Sequence, residues 1–329
     1  MTTDLTVALA LFMLAGAIVV LASIFLVMGS DTIATKSDWG RMWVGSLLLA
    51  GATSLPEMAT NVAAVRIGAP SLAAGNILGA NMLNMVSLSA LLALLGGRGV
   101  FQKLLRQQAV VAGVALVLTV AALFLIALQL QVKWLWVSPA SVILIGGYIV
   151  GFRIIRLYSC NDTPIEAPGS SRTIRWGFGV FAVSAAVIVV ATPLLASSAR
   201  DIANLIGIAE SFMGVLAVAM VTTLPELTVT VTALRLRAPN LAVASIYGST
   251  AFNIAILGVA DLFFTRGSLF GSLDLAHLTA ALFCILLTGL GLAQLLLLRT
   301  VKWHSVLGPS VIVMAVLYLV GVLLVFLIS

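Results

Sequence analysis

Apolar residues run through this chain in long uninterrupted stretches, broken by short clusters of charge, glycine and proline. Neither the strict alternation of a half-buried strand nor the one-sided stripe of a soluble helix is sustained. Crossing the hydrocarbon core takes about 20 apolar residues as a helix. The pattern predicts ten such spans. The first five are roughly 5–28, 42–66, 70–95, 107–129 and 134–157, and the second five roughly 174–198, 211–235, 239–264, 275–298 and 305–328. The one clearly polar connection, residues 158–173, holds Asn161, Asp162, Pro164, Glu166 and Pro168, and divides the chain into a 1–157 half and a 174–329 half.

Composition agrees. Of 329 residues, 62% are hydrophobic and 9% charged, too few charges to cover a water-soluble globule of this size. An ordinary soluble enzyme and a disordered chain are both excluded. The N-terminus lacks the positive region of a signal peptide, and its apolar run is too long for one, so it reads as the first spanning helix. The net charge of +6 does not indicate nucleic acid, because no basic run carries interleaved aromatics. It sets orientation instead. Connections 1–2, 3–4, 5–6, 7–8 and 9–10 carry 13 of the 17 lysines and arginines, and the other side carries Arg66, Lys133, Arg200 and Arg266. The basic side is expected to be cytoplasmic, which puts both termini on the extracytoplasmic side of a plasma membrane.

The two cysteines, Cys160 and Cys284, form neither a disulfide framework nor a metal motif. His277 and His304 lie near segment ends without ligand spacing, and structural roles are expected for both.

A shift of 169 residues superimposes the halves without a gap. Residues 51–84 and 220–253 are identical at 14 of 34 positions, including Thr53/Thr222, Leu55-Pro56-Glu57/Leu224-Pro225-Glu226, Arg66/Arg235, Pro70/Pro239, Gly79/Gly248 and Asn84/Asn253. The matched segments begin five spans apart. An odd shift reverses the direction of travel through the membrane, so this is an inverted-topology repeat. Such repeats build secondary transporters, with the site near the midplane between the halves. The expected fold is therefore an all-α polytopic membrane protein of ten transmembrane helices in two inverted five-helix repeats.

Of the 11 acidic residues, only Glu57 and Glu226 fall mid-span. A buried membrane charge costs at least about 3 kcal/mol, so two at matched positions point to function rather than to interhelical bonding by protonated acids. Each follows a proline, which has no N–H to donate. The carbonyls of Ala52 and Val221 lose their helical partner, and those of Ala50 and Ala219 are loosened by the kink. Thr53 and Thr222 lie one turn before the glutamates on the same face, with Ser54 and Thr223 beside them. On the next helix, Asn76, Ala80 and Asn84 share a face, as do Ser245, Ser249 and Asn253. Gly75-x-x-x-Gly79 and Ala244-x-x-x-Gly248 permit close helix crossing. The candidate ligands are all oxygens, which favours Ca²⁺, Na⁺ or similar hard cations over Cu, Zn or Fe. Two carboxylates balance one Ca²⁺, two Na⁺ or two H⁺, and mutually exclusive occupancy is the simplest physics of an antiporter.

These motifs resemble the two alpha repeats of the calcium/cation antiporter superfamily, in particular its sodium/calcium exchanger family and prokaryotic members. The first half carries Ala52-Thr53-Ser54-Leu55-Pro56-Glu57 and Gly75-Asn76-Ile77-Leu78-Gly79-Ala80-Asn81-Met82-Leu83-Asn84. The second carries Val221-Thr222-Thr223-Leu224-Pro225-Glu226 and Ala244-Ser245-Ile246-Tyr247-Gly248-Ser249-Thr250-Ala251-Phe252-Asn253. The resemblance implies Glu57 and Glu226 as central Ca²⁺ ligands, with Thr53 and Thr222 adding oxygens. It implies Ser54, Thr223, Ser249, Asn84 and Asn253 as lining residues, and the carbonyls of Ala50 and Ala219 as parts of flanking Na⁺ sites. Helices 1 and 6 would slide as gates. Against the family pattern, Ala80 replaces a serine, Asn253 stands where well-known exchangers carry Asp, Ala52 and Val221 replace glycine, and Ala244-Ser245 replaces Gly-Asn.

Exchange of Ca²⁺ for Na⁺ is the expected activity, with Ca²⁺/H⁺ or other divalent/H⁺ antiport as the alternative. A channel would more usually draw its filter from several subunits. An intramembrane enzyme lacks its motifs here: there is no G-x-S-x-G and no H-E-x-x-H. No cofactor and no obligatory protein partner is expected. The partners are the lipid bilayer and inorganic cations, with no nucleic acid.

Overall fold

The computed structural model describes residues 4–36, 51–95, 106–158, 172–235, 239–297 and 303–329. Besides a 3-10 turn at Phe270–Ser272, the described helices are α1 (Leu5–Lys36), α2 (Leu55–Arg66), α3 (Pro70–Leu95), α4 (Arg106–Leu128), α5 (Pro139–Tyr158), α6 (Ile174–Ile206), α7 (Glu210–Thr222), α8 (Leu224–Arg235), α9 (Pro239–Phe263), α10 (Leu275–Leu297) and α11 (Trp303–Ile328). No strand is present among the described residues beyond an isolated Trp134–Val137 bridge.

Eight of these helices are long and apolar enough to cross a membrane. The α7–α8 pair makes a ninth span, bent by 45° at Thr223. Of the predicted span 42–66, residues 42–50 lie outside the described residues, as do most of the 158–173 connection with Cys160 and the side chain of His304. The outer surface is apolar, with Met13, Val117, Val190, Ile312 and Leu319 all exposed, while Thr53, Glu57, Asn76, Asn84, Glu226 and Ser249 are buried. That inversion of the soluble pattern suits a protein whose surface solvent is lipid.

Two helices outrun their predictions. α1 has 32 residues and α6 has 33, about 50 Å each at 1.5 Å per residue. Both exceed a hydrocarbon core of about 30 Å, so they must tilt or project. They pack along each other and against α2, α7 and α8. A glycine on each helix lets the backbones close: a Cβ at Gly29 would meet Phe181 N at 2.9 Å and Gly177 O at 3.0 Å.

The centre is formed by α3 and α9, which cross each other and are the most enclosed of the spanning helices. The halves interlock around them. α4 and α5 of the first half lie against α9 of the second, while α10 and α11 of the second lie against α3 of the first. The repeat is thus a unit of sequence, and one hydrophobic core runs through both halves.

The four minority-side basic residues meet at one end of the bundle. The Arg66 guanidinium lies 5.0 Å from the centre of the Phe263 ring. Arg200 pairs with Glu210 at 2.8 Å and donates to the Ile67 carbonyl at 2.7 Å. Arg266 covers Gly68, whose φ of +79° is itself a reason for glycine there. Lys133 donates to the carbonyls of Asp261, Phe264 and Gly267, terminating α9.

Asp261 lies near the end of α9 and is fully enclosed. Its carboxylate accepts from Ser141 Oγ at 2.7 Å and from Leu269 N at 2.6 Å, with Lys133 Nζ 3.8 Å away. Removing one partner of a buried pair costs about 3 kcal/mol. Lys133→Met is therefore expected to lower the thermal unfolding midpoint in detergent by several degrees; an unchanged midpoint would count against the pair as a fastener of the 264–273 connection. His277, also structural as expected, bonds Asp274 Oδ1 through Nδ1 at 2.7 Å and meets the Ser71 carbonyl through Nε2 at 3.1 Å. The imidazole holds the Asp274 carboxyl below the usual carboxylate range.

Candidate cation site

Each Leu-Pro-Glu motif opens a half-helix. Pro56 is the second residue of α2 and Pro225 the second of α8, where the N–H each lacks would have no helical partner in any case. The chain turns at Ser54 (φ −92°, ψ 6°) and at Thr223 (φ −81°, ψ −9°). Glu57 and Glu226 therefore sit in the first turns of α2 and α8. A helix start carries partial positive charge from unpaired N–H groups, which suits an anionic side chain. Sequence spacing alone placed the glutamates after a kink; the broken helices add this electrostatic reason for their position.

Both carboxyl groups are fully buried and close enough to interact electrostatically. Neither oxygen of Glu57 has a hydrogen-bond partner among the described residues. Glu226 Oε1 accepts from Ser249 Oγ at 3.1 Å and from Ser54 Oγ at 3.3 Å, and its Oε2 has no partner. The two serine hydroxyls are 3.0 Å apart. Ser54 thus brings the first half to the glutamate of the second. In the reverse sense, Thr222 of the second half lies beside Glu57. Its hydroxyl donates to Asn76 Oδ1 at 3.1 Å, leaving Asn76 Nδ2 unpartnered.

Further polar groups surround this centre. Asn84 is fully buried, with neither amide atom paired among the described residues. Asn253 donates to Asn81 Oδ1 at 3.0 Å, and its own Oδ1 is unpartnered. Thr53 is fully buried. Ser245 is only partly buried, unlike Ser249 on the same helix. One turn past the glutamates, Asn61 donates to the Glu57 carbonyl at 2.6 Å and Thr230 to the Glu226 carbonyl at 2.8 Å. These two were not singled out in the sequence, although the shift of 169 pairs them.

Two expectations are revised. The kink does not free the Ala219 carbonyl, which accepts from Thr223 N at 3.0 Å and from Thr223 Oγ1 at 2.6 Å. Thr223 accordingly bonds its own helix, whereas its counterpart Ser54 reaches across to the glutamate of the other half. The physical reason is local: a β-branched hydroxyl in a helix readily bonds the carbonyl four residues back. Ala50 lies outside the described residues.

The expectation of a tight crossing holds at Gly75 and Gly79, where the partner is α7, but not at Gly248, where a Cβ would meet nothing within 4 Å among the described residues. A Cβ on Gly75 would run into Ser211 O, one on Gly79 into Val215 O and Cα, and one on Gly214 into Leu72 O and Asn76 N. α7 carries a π turn at Gly214–Val218 on this contact. The backbone approach of α3 and α7 is what carries Asn76 to Thr222 and so closes that side of the site.

Among the described residues, no group of three or more His, Cys, Asp or Glu forms a metal cluster. The site therefore offers two carboxylates and neutral oxygens, with up to two negative charges. At a few ångströms in a medium of low polarity such charges repel strongly, so the ionised pair calls for cations.

The family model for the sodium/calcium exchanger protein matches residues 7–155 and 176–327. The sodium/calcium exchanger MaX1 of Methanosarcina acetivorans is 25% identical over 292 residues, covering 75% of this chain and 82% of that protein. The inner membrane protein YrbG of Escherichia coli is 27% identical over 225 residues, covering 65% of this chain and 66% of that protein. Among solved structures, the H⁺/Ca²⁺ exchanger CAX superimposes with a TM-score of 0.75 at 15% identity, over 98% of this chain and 86% of that one. The sodium-calcium exchanger NCX_Mj does so at 0.59 and 20% identity, over 97% and 98%. The chain is a multi-pass membrane protein and belongs to the sodium/calcium exchanger family of the calcium/cation antiporter superfamily.

Proposed function

We propose that this chain is a secondary active antiporter that exchanges Ca²⁺ for Na⁺ by alternating access at the Glu57/Glu226 site. The observation that carries the reading is the pair of fully buried carboxyl groups from two repeated helix starts, with three of their four oxygens unpartnered among the described residues. Ca²⁺ neutralises two carboxylates at once and takes its remaining ligands from neutral oxygens. In this reading Thr53, Thr222, Ser54, Ser249, Asn84 and Asn253 supply or line those oxygens. Na⁺ occupies the same anionic centre and flanking positions near the carbonyls of Ala50 and Ala219. At Ala219 an ion competes with the Thr223 hydroxyl, so occupancy there requires that side chain to rotate.

The full topology in this proposal is ten transmembrane helices in two inverted five-helix repeats, residues 1–157 and 174–329, joined by a cytoplasmic connection at 158–173. Its support is the 169-residue register and the gathering of Arg66, Lys133, Arg200 and Arg266 at one end. That end is the extracytoplasmic one of a plasma membrane, where both termini also lie. α1 and α6 are the moving gates, because they pair with each other and meet the half-helices from outside the α3–α9 centre.

A second reading, Ca²⁺/H⁺ antiport, is favoured by one feature: Ala80 and Asn253 remove an oxygen and a carboxylate that would help hold several Na⁺. Proteoliposomes separate the two. Ca²⁺ uptake driven by an outward Na⁺ gradient supports Na⁺ coupling; uptake driven only by an imposed pH gradient replaces it with proton coupling. Ala80→Ser restores a hydroxyl and is expected to lower the Na⁺ concentration that half-inhibits Ca²⁺ binding severalfold. An unchanged value would remove Ala80 from the account.

A further inference from the structure

Asn81 lies on α3 between Ala80 and Asn84, fully buried, and both ends of its amide are engaged on α9. Its Nδ2 donates to the Thr250 carbonyl at 3.1 Å, and its Oδ1 accepts from Asn253 Nδ2 at 3.0 Å. These two bonds fix the sense of both amides. A backbone carbonyl only accepts, so the end of Asn81 that faces it is the NH₂. The other end is then the carbonyl oxygen, which calls for a donor. Asn253 meets that demand with its own NH₂. Its Oδ1 is turned away from Asn81 and has no partner among the described residues.

The repeat does not reproduce this device. The counterpart of Asn81 at a shift of 169 is Thr250, and its hydroxyl donates to Ile246 O on its own helix at 2.8 Å. Asn84, the counterpart of Asn253, has both amide atoms unpaired among the described residues. One carboxamide of the pair is held in a single sense and the other is not.

We infer that Asn81 is a positioning residue for the cation site: it holds Asn253 so that an ion meets the carboxamide oxygen and never the NH₂. The inference rests on the proposed reading of Asn253 as a site residue. An unrestrained carboxamide presents either end, and the NH₂ end repels a cation. Groups that orient a metal ligand from behind typically contribute 10- to 100-fold in metal affinity. The same frame accounts for Asn rather than Asp at 253. An ionised Asp there would set a carboxylate oxygen against Asn81 Oδ1, acceptor against acceptor. Asn81 cannot reverse its amide without losing the bond to the Thr250 carbonyl.

The test is a double-mutant cycle on the full-length chain purified in detergent. Asn81→Thr copies the arrangement that Thr250 already uses, with a hydroxyl able to bond back to Ile77 O, so the helix is preserved; Asn81→Ala serves if that protein is not monodisperse. Equilibrium binding of radioactive Ca²⁺, and its competition by Na⁺, are measured for the wild type, Asn81→Thr, Asn253→Ala and the double variant. Asn81→Thr is expected to weaken Ca²⁺ binding about tenfold or more. The double variant is expected to bind as Asn253→Ala does, because nothing remains to be oriented. Unchanged binding in Asn81→Thr would overturn the inference. So would a double variant weakened by the product of the two single losses, since Asn81 would then act through helix packing. A wild-type chain that binds neither Ca²⁺ nor Na⁺ would overturn the site reading itself, and this inference with it; wild-type binding with an additive cycle overturns the inference alone.

Discussion

Glu57→Gln and Glu226→Gln are each expected to abolish Ca²⁺ exchange in proteoliposomes while leaving folded protein in the membrane. Each change removes one of two negative charges from a site that the protein otherwise lines with neutral groups among its described residues. Losing one partner from a buried charge arrangement costs about 3–5 kcal/mol, which is more than 100-fold in ion affinity. The two variants differ in what the glutamine inherits. At 226 its carbonyl oxygen still accepts from Ser54 and Ser249, so that hydrogen bonding survives. At 57 neither carboxyl oxygen has a partner to lose among the described residues. In the absence of cations, neither variant should therefore have a lower thermal midpoint than the wild type. Near-normal transport by either glutamine variant would sink the assignment of the site. Loss of transport with a collapsed midpoint would point instead to a structural role for the carboxylate.

The second large effect is expected from a single methyl group. Gly79→Ala places a Cβ against Val215 O and Cα, which are backbone atoms of α7 and cannot swing aside as a side chain can. Relief requires α3 and α7 to separate. Overpacking of this kind costs about 1–3 kcal/mol. The separation also draws Thr222, at the end of α7, away from Asn76, where its hydroxyl bond now measures 3.1 Å. Both a lowered midpoint in detergent and a loss of Ca²⁺ transport are expected. A stable, fully active Gly79→Ala protein would mean that these backbones do not touch. The prediction is independent of ion identity, so it checks the architecture without relying on the proposed chemistry.

Much of this protein is written locally. Spans are legible because a bilayer demands about 20 apolar residues in a row. Both glutamates stand out because a mid-span carboxylate is costly wherever it is placed. The 169-residue register and the Pro-Glu pairs are facts of spelling, and they brought Glu57, Glu226, Thr222, Ser54, Ser249 and Asn253 together before any coordinates. Small residues at Gly75 and Gly79 announced a close crossing, though not its partner.

What remained hidden depends on which groups meet across the fold. Ser54 and Thr223 occupy equivalent positions, yet Ser54 reaches Glu226 while Thr223 bonds back to Ala219. A hydroxyl always has its own helix as an alternative acceptor, and only the neighbouring surface decides between them. The interlocking of the halves was equally invisible, because spacing along a chain does not say which helix of the other half will cover it. Asn81 is the sharpest instance. In the sequence it is one more polar residue in a motif. In the fold it meets a carbonyl at one end and Asn253 at the other, and hydrogen-bond polarity then fixes which atom of Asn253 stays free. Sequence alone determined that two carboxylates share a membrane-buried site; tertiary structure decided how the oxygens around them are aimed, because that depends on donors and acceptors contributed by distant helices.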